Sequence, residues 1–321
     1  MSAEREPHPG GMTPRAAVAY LGPEGTFASE AARLAAPEAV GQPMPTIPDV
    51  IDAVRDHRAS LGVVPIENSI EGSVNLTLDA LAFGPPGVFI RSEIAIPISM
   101  CLLAKEGTAF RDISVVRSMP HALAQCRGWL AENLPAARVE PCSSTAEAAR
   151  LTGLGEAALG HRRAGERYGL AVLASDIQDF GDNATRFVVV SRKMSAPTGK
   201  DKTSVVFFFG RDRPGQLVRI LDEFALRGIN LSKIESRPTK RGLGEYCIFV
   251  DCLGHVNESR VAGALRSVHR HVADLRVLGS YPRQEDAQDV PIESETDEAY
   301  AEAANWYADL LAHVERPPAR Y

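Results

Sequence analysis

Short polar runs at the ends of apolar stretches are where this chain could do chemistry. Thr185-Arg186-Phe187 opens the apolar run Val188–Val190, and Glu67-Asn68-Ser69 follows Leu61–Pro65. A third run, Glu235-Ser236-Arg237-Pro238, closes a stretch that begins at Leu231. Hydroxyl, amide and guanidinium groups at strand ends can grip a small carboxylate, the guanidinium through its bidentate fork and the others through single hydrogen bonds. Thr185 could assist a departing oxygen, although a lone threonine is too weak an acid to give up its proton unaided. Thr26, at the end of a turn, and the Ser143-Ser144-Thr145 run supply further hydroxyls, and the Ser143–Thr145 run reads more readily as a helix cap than as a ligand site. No cluster of metal-ligand spacing and no glycine-rich dinucleotide loop accompanies them, so neither a metal nor another cofactor is expected.

Elements able to hold these groups alternate along the first half of the chain. Ala16–Leu21 reads as a strand, Gly22–Thr26 as a turn and Phe27–Ala36 as a helix whose N-terminus could hold an anion. A helix over Pro48–Arg58 has Thr46 and Asp49 as a capping pair. Leu61–Pro65 is a strand, and polar groups beyond the carboxyl end of such a strand are where open α/β sheets bind ligands. The long extended pattern Phe89–Ala104, interrupted by Pro97, suggests a crossover to a second lobe. There follow strand Ile113–Arg117, helix His121–Leu134, strand Arg138–Pro141, a helix after Ser143–Thr145, and short strands around a helical Arg162–Tyr168. A late strand from Phe187 to Ser191 returning to the first lobe would give a two-lobed body with a cleft.

Arg192–Lys202 reads as a linker. Beyond it the order is βαββαβ: strand Thr203–Phe209, helix Gln216–Arg227, strands Leu231–Arg237 and Glu245–Cys252, helix Asn257–Val272 and strand Leu275–Tyr281. That order is the ferredoxin-like sandwich. Tyr246, Ile248 and Val250 are expected to point inward. The tail from Pro282 is acidic to Glu298 and then helical through Trp306, Leu310 and Leu311, residues expected to pack, a subunit interface being one place for them.

A net charge of −6 without a basic cluster argues against nucleic acid or an anionic membrane as partner. The polar start, Met1–Pro14, lacks a signal core, and no apolar stretch reaches bilayer length, so a cytoplasmic location is expected. Cys101, Cys126, Cys142, Cys247 and Cys252 show no paired spacing, and no disulfides are expected.

Several motifs in order resemble the prephenate dehydratase family with a C-terminal ACT regulatory domain. Gly22-Pro23-Glu24-Gly25-Thr26-Phe27 is similar to the family's opening loop, Pro65–Ser69 with Glu71–Val74 to its second signature, and Thr185-Arg186-Phe187 to its catalytic segment. Pro214-Gly215 and Glu235–Pro238 resemble phenylalanine-binding loops. The resemblance implies a two-lobed, type II periplasmic-binding-protein-like α/β catalytic domain over 16–192 and a ferredoxin-like ACT domain over 203–282, with 283–321 as a tail. It implies decarboxylating dehydration of prephenate to phenylpyruvate, with aromatisation as driving force. Catalysis falls to Thr185, Arg186, Asn68 and Ser69, and substrate binding to Thr26, Glu67, Ser143, Ser144, Thr145 and Phe187. L-phenylalanine would meet Pro214, Gly215, Gln216, Leu217, Glu235, Ser236, Arg237 and Pro238 in a homodimer or homotetramer. The chain departs from the family pattern at Ala28, where Ser is usual, and at Met119, His121 and Gln216. Arogenate as substrate, or a non-catalytic small-carboxylate binding protein, are the alternatives left open.

Overall fold

The computed structural model describes residues 16–179, 181, 183–210, 213–240, 242, 244–284 and 292–314. The start read at Met1–Pro14 and part of the acidic tail lie outside the described residues. Two compact units form. One runs through Ala80 and from Ile94 to Arg192, and the other comprises Leu81–Glu93 and the chain from Lys193.

The first unit begins with β1 (Ala17–Leu21), α1 (Phe27–Ala35), β2 (Val40–Met44), α2 (Ile47–Arg55), β3 (Leu61–Asn68), the two-residue β4 (Gly72–Ser73) and α3 (Asn75–Phe83). Thr26 caps α1 and Thr46 caps α2, each accepting from the backbone N–H three residues on. Sequence reasoning missed β2, whose Pro43 is tolerated because, among the described residues, β2 ends the sheet and pairs with β1 alone. It also missed α3, whose apolar residues form no single helical stripe.

From β5 (Phe89–Pro97) the chain enters a second lobe. Its elements are β6 (Cys101–Ala104), β7 (Val115–Ser118), α4 (Pro120–Gln125), α5 (Arg127–Asn133), β8 (Arg138–Pro141), α6 (Thr145–Leu151), β9 (Glu156–Gly160), α7 (Arg162–Tyr168) and β10 (Ala171–Ala174). Then β11 (Ala184–Ser191) returns to pair antiparallel with β3, as the two-lobed reading requires. The strand order is β2-β1-β3-β11 in the first lobe and β8-β7-β9-β6-β10 in the second. In each lobe three parallel strands are followed by one antiparallel strand. This is the two-lobed α/β architecture expected from the resemblance.

Along β6, Leu102 and Ala104 enter one core while Cys101 and Leu103 enter another, so the second sheet is buried on both faces. The helix expected over His121–Leu134 is broken at Cys126, whose φ and ψ are −114° and 15°. Asp179, some fifty residues away, stabilises the break by accepting from the N–H groups of Gly128 (2.9 Å) and Trp129 (3.0 Å) at the start of α5.

In the second unit, β12 (Asp201–Phe208), α8 (Gln216–Ala225), β13 (Leu231–Pro238), β14 (Tyr246–Leu253), α9 (Ser259–His271) and β15 (Asp274–Pro282) form the βαββαβ sandwich. The antiparallel order is β13-β14-β12-β15. Val205, Phe207, Ile248 and Val250 pack against Ile220 and Phe224 of α8 and Val261, Leu265 and Val268 of α9. Tyr246, expected inward, is half exposed. β12 begins inside the stretch read as a linker. Lys202 there is fully buried and pairs with Glu93 at 2.9 Å, and a buried charge misleads any reading based on polarity. Gly279 of β15 lies opposite Ile90, where an added Cβ would stand 2.3 Å from the Ile90 carbonyl oxygen. The tail helix α10 (Asp297–Ala312) is capped by Thr296, but Trp306, Leu310 and Leu311, expected to pack, are exposed. Among the described residues no helix is long and apolar enough to cross a membrane.

Candidate active site

A cavity of about 780 Å³ in the first unit is lined from both lobes. Thr26, Phe27 and Ala28, the first turn of α1, form one wall. The Thr26 hydroxyl is committed locally: it donates to Pro23 O at 3.0 Å and accepts from Ser29 N at 3.3 Å. Ser29, next to the position where the family's serine is replaced by Ala28, accepts from Gly25 N at 3.1 Å and donates to Thr26 O at 2.7 Å. The loop is thus tied together by two hydroxyls.

Opposite that turn, β3 and β11 meet in a cluster of amides. Asn68 Oδ1 accepts from the N–H groups of Ile70 (3.0 Å) and Glu71 (3.2 Å) in an Asx turn. Its Nδ2 donates to Thr185 Oγ at 3.0 Å and to Asn183 Oδ1 at 2.8 Å. Because the Thr185 oxygen accepts from Asn68, its own proton is left to donate, and Thr185 lines the cavity. Phe187 lies on the same wall, 3% exposed. Asn183, absent from the sequence reading as a site residue, also lines the cavity, and its Nδ2 is buried without a hydrogen-bond partner among the described residues. Such a donor costs about 1–3 kcal/mol when left unpaired. Its one sequence signal is its place two residues before Thr185, on the same side of an extended chain.

The second lobe contributes helix starts and an apolar floor. Ser144 is the cap of α6, accepting from Glu147 N at 3.0 Å, while Glu147 accepts from Ser143 N at 3.0 Å and from the Ser143 hydroxyl. Those bonds from Ser143 hold the Glu147 carboxyl below its ordinary value. Ser144 is thus a cap, and Ser143, Ser144 and Thr145 all line the cavity. Met100, Met119 and Ala122 supply apolar surface. His121 Nε2 meets Gln125 Nε2 at 2.6 Å and also contacts the Glu71 carboxylate of the first lobe, so this pair spans the cavity. Gln125 was not singled out from sequence, although it stands one helical turn beyond His121. Beside this wall His161 stacks on Phe27 with ring centroids 4.7 Å apart, and burial pushes its pKa down.

Three of the expected site residues sit behind the wall instead of on it. Arg186 and Glu67 lie directly opposite each other in the β3–β11 ladder and form an ion pair. Ser69 accepts from Ala184 N at 3.0 Å and fastens the end of β3 to β11. Strand alternation turns Arg186 away from the side that Thr185 presents.

In the second unit the expected effector residues fall in two places. Pro214 and Gly215 precede α8, Gly215 having φ of 77°, and Leu217 is exposed. Gln216 lines a cavity of about 310 Å³ with Arg213, Arg270 and His271. Glu235, Ser236, Arg237 and Pro238 lie on β13, paired with Phe249, Ile248, Cys247 and Tyr246 of β14. Glu235 is flanked by Lys233 at 3.2 Å and Arg237 at 3.5 Å.

Comparison with known proteins identifies the family. A family model described as prephenate dehydratase matches residues 18–195, and one described as ACT domain matches residues 204–270. The prephenate dehydratase of Mycobacterium tuberculosis is 43% identical over 309 residues, covering 92% of this chain and 94% of the relative. A crystal structure of prephenate dehydratase from Arthrobacter aurescens in complex with L-Phe aligns with a TM-score of 0.84 at 41% identity, covering 92% of this chain and 99% of that chain. The Staphylococcus aureus enzyme aligns at 0.71 and 32% identity, covering 82% and 99%. With the catalytic-domain match spanning more than half of the chain and the ACT match following it, this chain belongs to the prephenate dehydratase family.

Proposed function

We propose the following division of labour for prephenate dehydration, with residues 16–192 carrying the chemistry and 203–282 sensing an effector. Cleavage of the ring carbon–carboxylate bond releases carbon dioxide and leaves its electron pair in the ring. Cleavage of the ring carbon–oxygen bond carries an electron pair away on the hydroxyl, which takes a proton and departs as water. The ring becomes aromatic and the product is phenylpyruvate. Thr185 hydrogen bonds to the leaving oxygen and passes its proton toward it, while the Asn68 amide stabilises the charge that this leaves on Thr185 Oγ. A proton from solvent restores the hydroxyl. The observation that carries this reading is the 3.0 Å bond from Asn68 Nδ2 to Thr185 Oγ on the cavity wall.

The substrate's carboxylates meet the first turns of α1 and α6, where Thr26, Ser143, Ser144 and Thr145 gather and helix N–H groups attract anions. Phe187 and the methionines pack the ring. Arg186, Glu67 and Ser69 act by holding β11 in register with β3, so that Thr185 and Asn68 stay aligned.

Phenylalanine is the proposed effector, bound at Pro214–Leu217 and Glu235–Pro238 in a self-associated, cytoplasmic enzyme. The complex of the Arthrobacter aurescens protein with L-Phe supports this. Inhibition requires only that the ligand favour a conformation unfit for turnover.

Ultraviolet detection of phenylpyruvate from prephenate tests the activity, and adding phenylalanine tests the control. Thr185→Ala should lower kcat on the order of 10²-fold or more, and Thr185→Ser should keep most of it. Full activity in both variants removes Thr185 from the mechanism.

A further inference from the structure

One constraint orders the amides around Asn68. Its Oδ1 is claimed by two backbone donors, Ile70 N at 3.0 Å and Glu71 N at 3.2 Å. Nδ2 is therefore the atom turned toward Thr185 Oγ and Asn183 Oδ1. Reversing the Asn183 amide would set two NH₂ groups against each other, so its oxygen faces Asn68 and its nitrogen points elsewhere. That nitrogen belongs to a side chain only 2% exposed, on the wall of the large cavity, and has no partner among the described residues. Buried donors are normally satisfied, and the cavity that Asn183 lines can supply this one with an acceptor from a water or a bound molecule.

We propose that Asn183 is a catalytic residue of the dehydration, donating from Nδ2 to the ring hydroxyl oxygen as its bond to carbon breaks, an inference that rests on the role given to Thr185. Asn183 and Thr185 are two residues apart on one wall, and a single Asn68 amide bonds to both. The amide N–H and the hydroxyl are thereby held as a pair of donors. Negative charge gathers on the leaving oxygen only as the transition state is approached, so two fixed donors act there more than on bound substrate. The second donor should therefore register in kcat more than in KM.

Asn183→Asp keeps the shape and the oxygen that accepts from Asn68 but replaces the free donor with a second oxygen. The full-length variant is assayed for phenylpyruvate formation beside wild type and Thr185→Ala, with uncatalysed aromatisation subtracted. The expected result is a kcat loss on the order of 10²-fold with KM within about threefold. As pH is lowered, the variant-to-wild-type ratio should recover in part, because a protonated Asp again offers an O–H donor. The ratio is used because Glu71, His121 and Glu147 line the same cavity in both proteins. A kcat within about threefold of wild type, or a loss carried by KM alone, overturns the proposal. If Asn183→Asp does not fold, Asn183→Ala is read for the same split between kcat and KM. Should Thr185→Ala lose activity while the Asn183 variant keeps it, the Asn183 role alone is lost; should wild type form no phenylpyruvate, the dehydratase reading of the cavity falls with it.

Discussion

The two lobes of the first unit share a strand plan yet divide the work at the cavity. In each, a central parallel strand is flanked by two others and then by an antiparallel strand. After β1 the loop ends in Thr26, whose hydroxyl caps α1; after β7 the equivalent place holds Met119, with no side-chain cap and Pro120 at the first helical position. After β3 comes the Asn68 cluster, its amide bonded to β11; after β9 comes His161, which accepts from Arg163 N and stacks on Phe27. Hydrogen-bond donors fixed by long-range contacts thus belong to the first lobe, and apolar surface with helix-start hydroxyls to the second. The lesson is that repeating a scaffold repeats the positions of loops, while chemistry arises where a strand distant in sequence closes on one of them.

Converting the Asn68 donor into an acceptor should break the contrast most severely. Asn68→Asp keeps the Asx turn but sets an oxygen against Asn183 Oδ1 and Thr185 Oγ, and kcat for phenylpyruvate formation should fall on the order of 10²–10³-fold. Packing comes next. A Cβ at Gly62 in β3 would stand 2.9 Å from both Val190 and Val54, whereas one at Gly160 in β9 meets its nearest neighbours at 3.5 Å. Gly62→Ala should therefore cost about 1–3 kcal/mol in a urea titration, and Gly160→Ala clearly less. Removing the second lobe's cap with Ser144→Ala should cost about 1 kcal/mol by the same titration and raise KM as the α6 turn loosens.

The smallest effect concerns His161. Burial depresses its pKa below the ordinary 6.5, so the unfolded chain takes up this proton first as pH falls. Stability should accordingly decline as pH drops through that value, and His161→Gln should flatten the decline seen in melting curves. An unchanged slope would mean that the ring does not titrate differently in the native state.

Much of this was legible from local pattern. The β1–α1 unit, the cap at Thr46, α7 and the whole βαββαβ order follow from periodicity and capping residues within a few positions of one another. Features that needed distant partners stayed hidden. The pairing of Arg186 with Glu67 joins residues 119 apart, and the Asn68–Asn183 bond joins residues 115 apart. Nothing near Asn183 in sequence marks it beyond its distance from Thr185. The break at Cys126 depends on a carboxylate supplied by Asp179, and the fully buried Lys202 reads as solvated until Glu93 is placed beside it.

That last pair bears on how the regulatory half can be isolated. A fragment starting at Lys193 would keep the Lys202 ammonium while leaving the Glu93 carboxylate it pairs with behind on the discarded piece. Removing one member of a buried pair costs about 3–5 kcal/mol where nothing else compensates the remaining charge. A fragment that begins at residue 81 keeps both members of the pair, so its ligand affinity can be weighed with the Lys202–Glu93 contact intact.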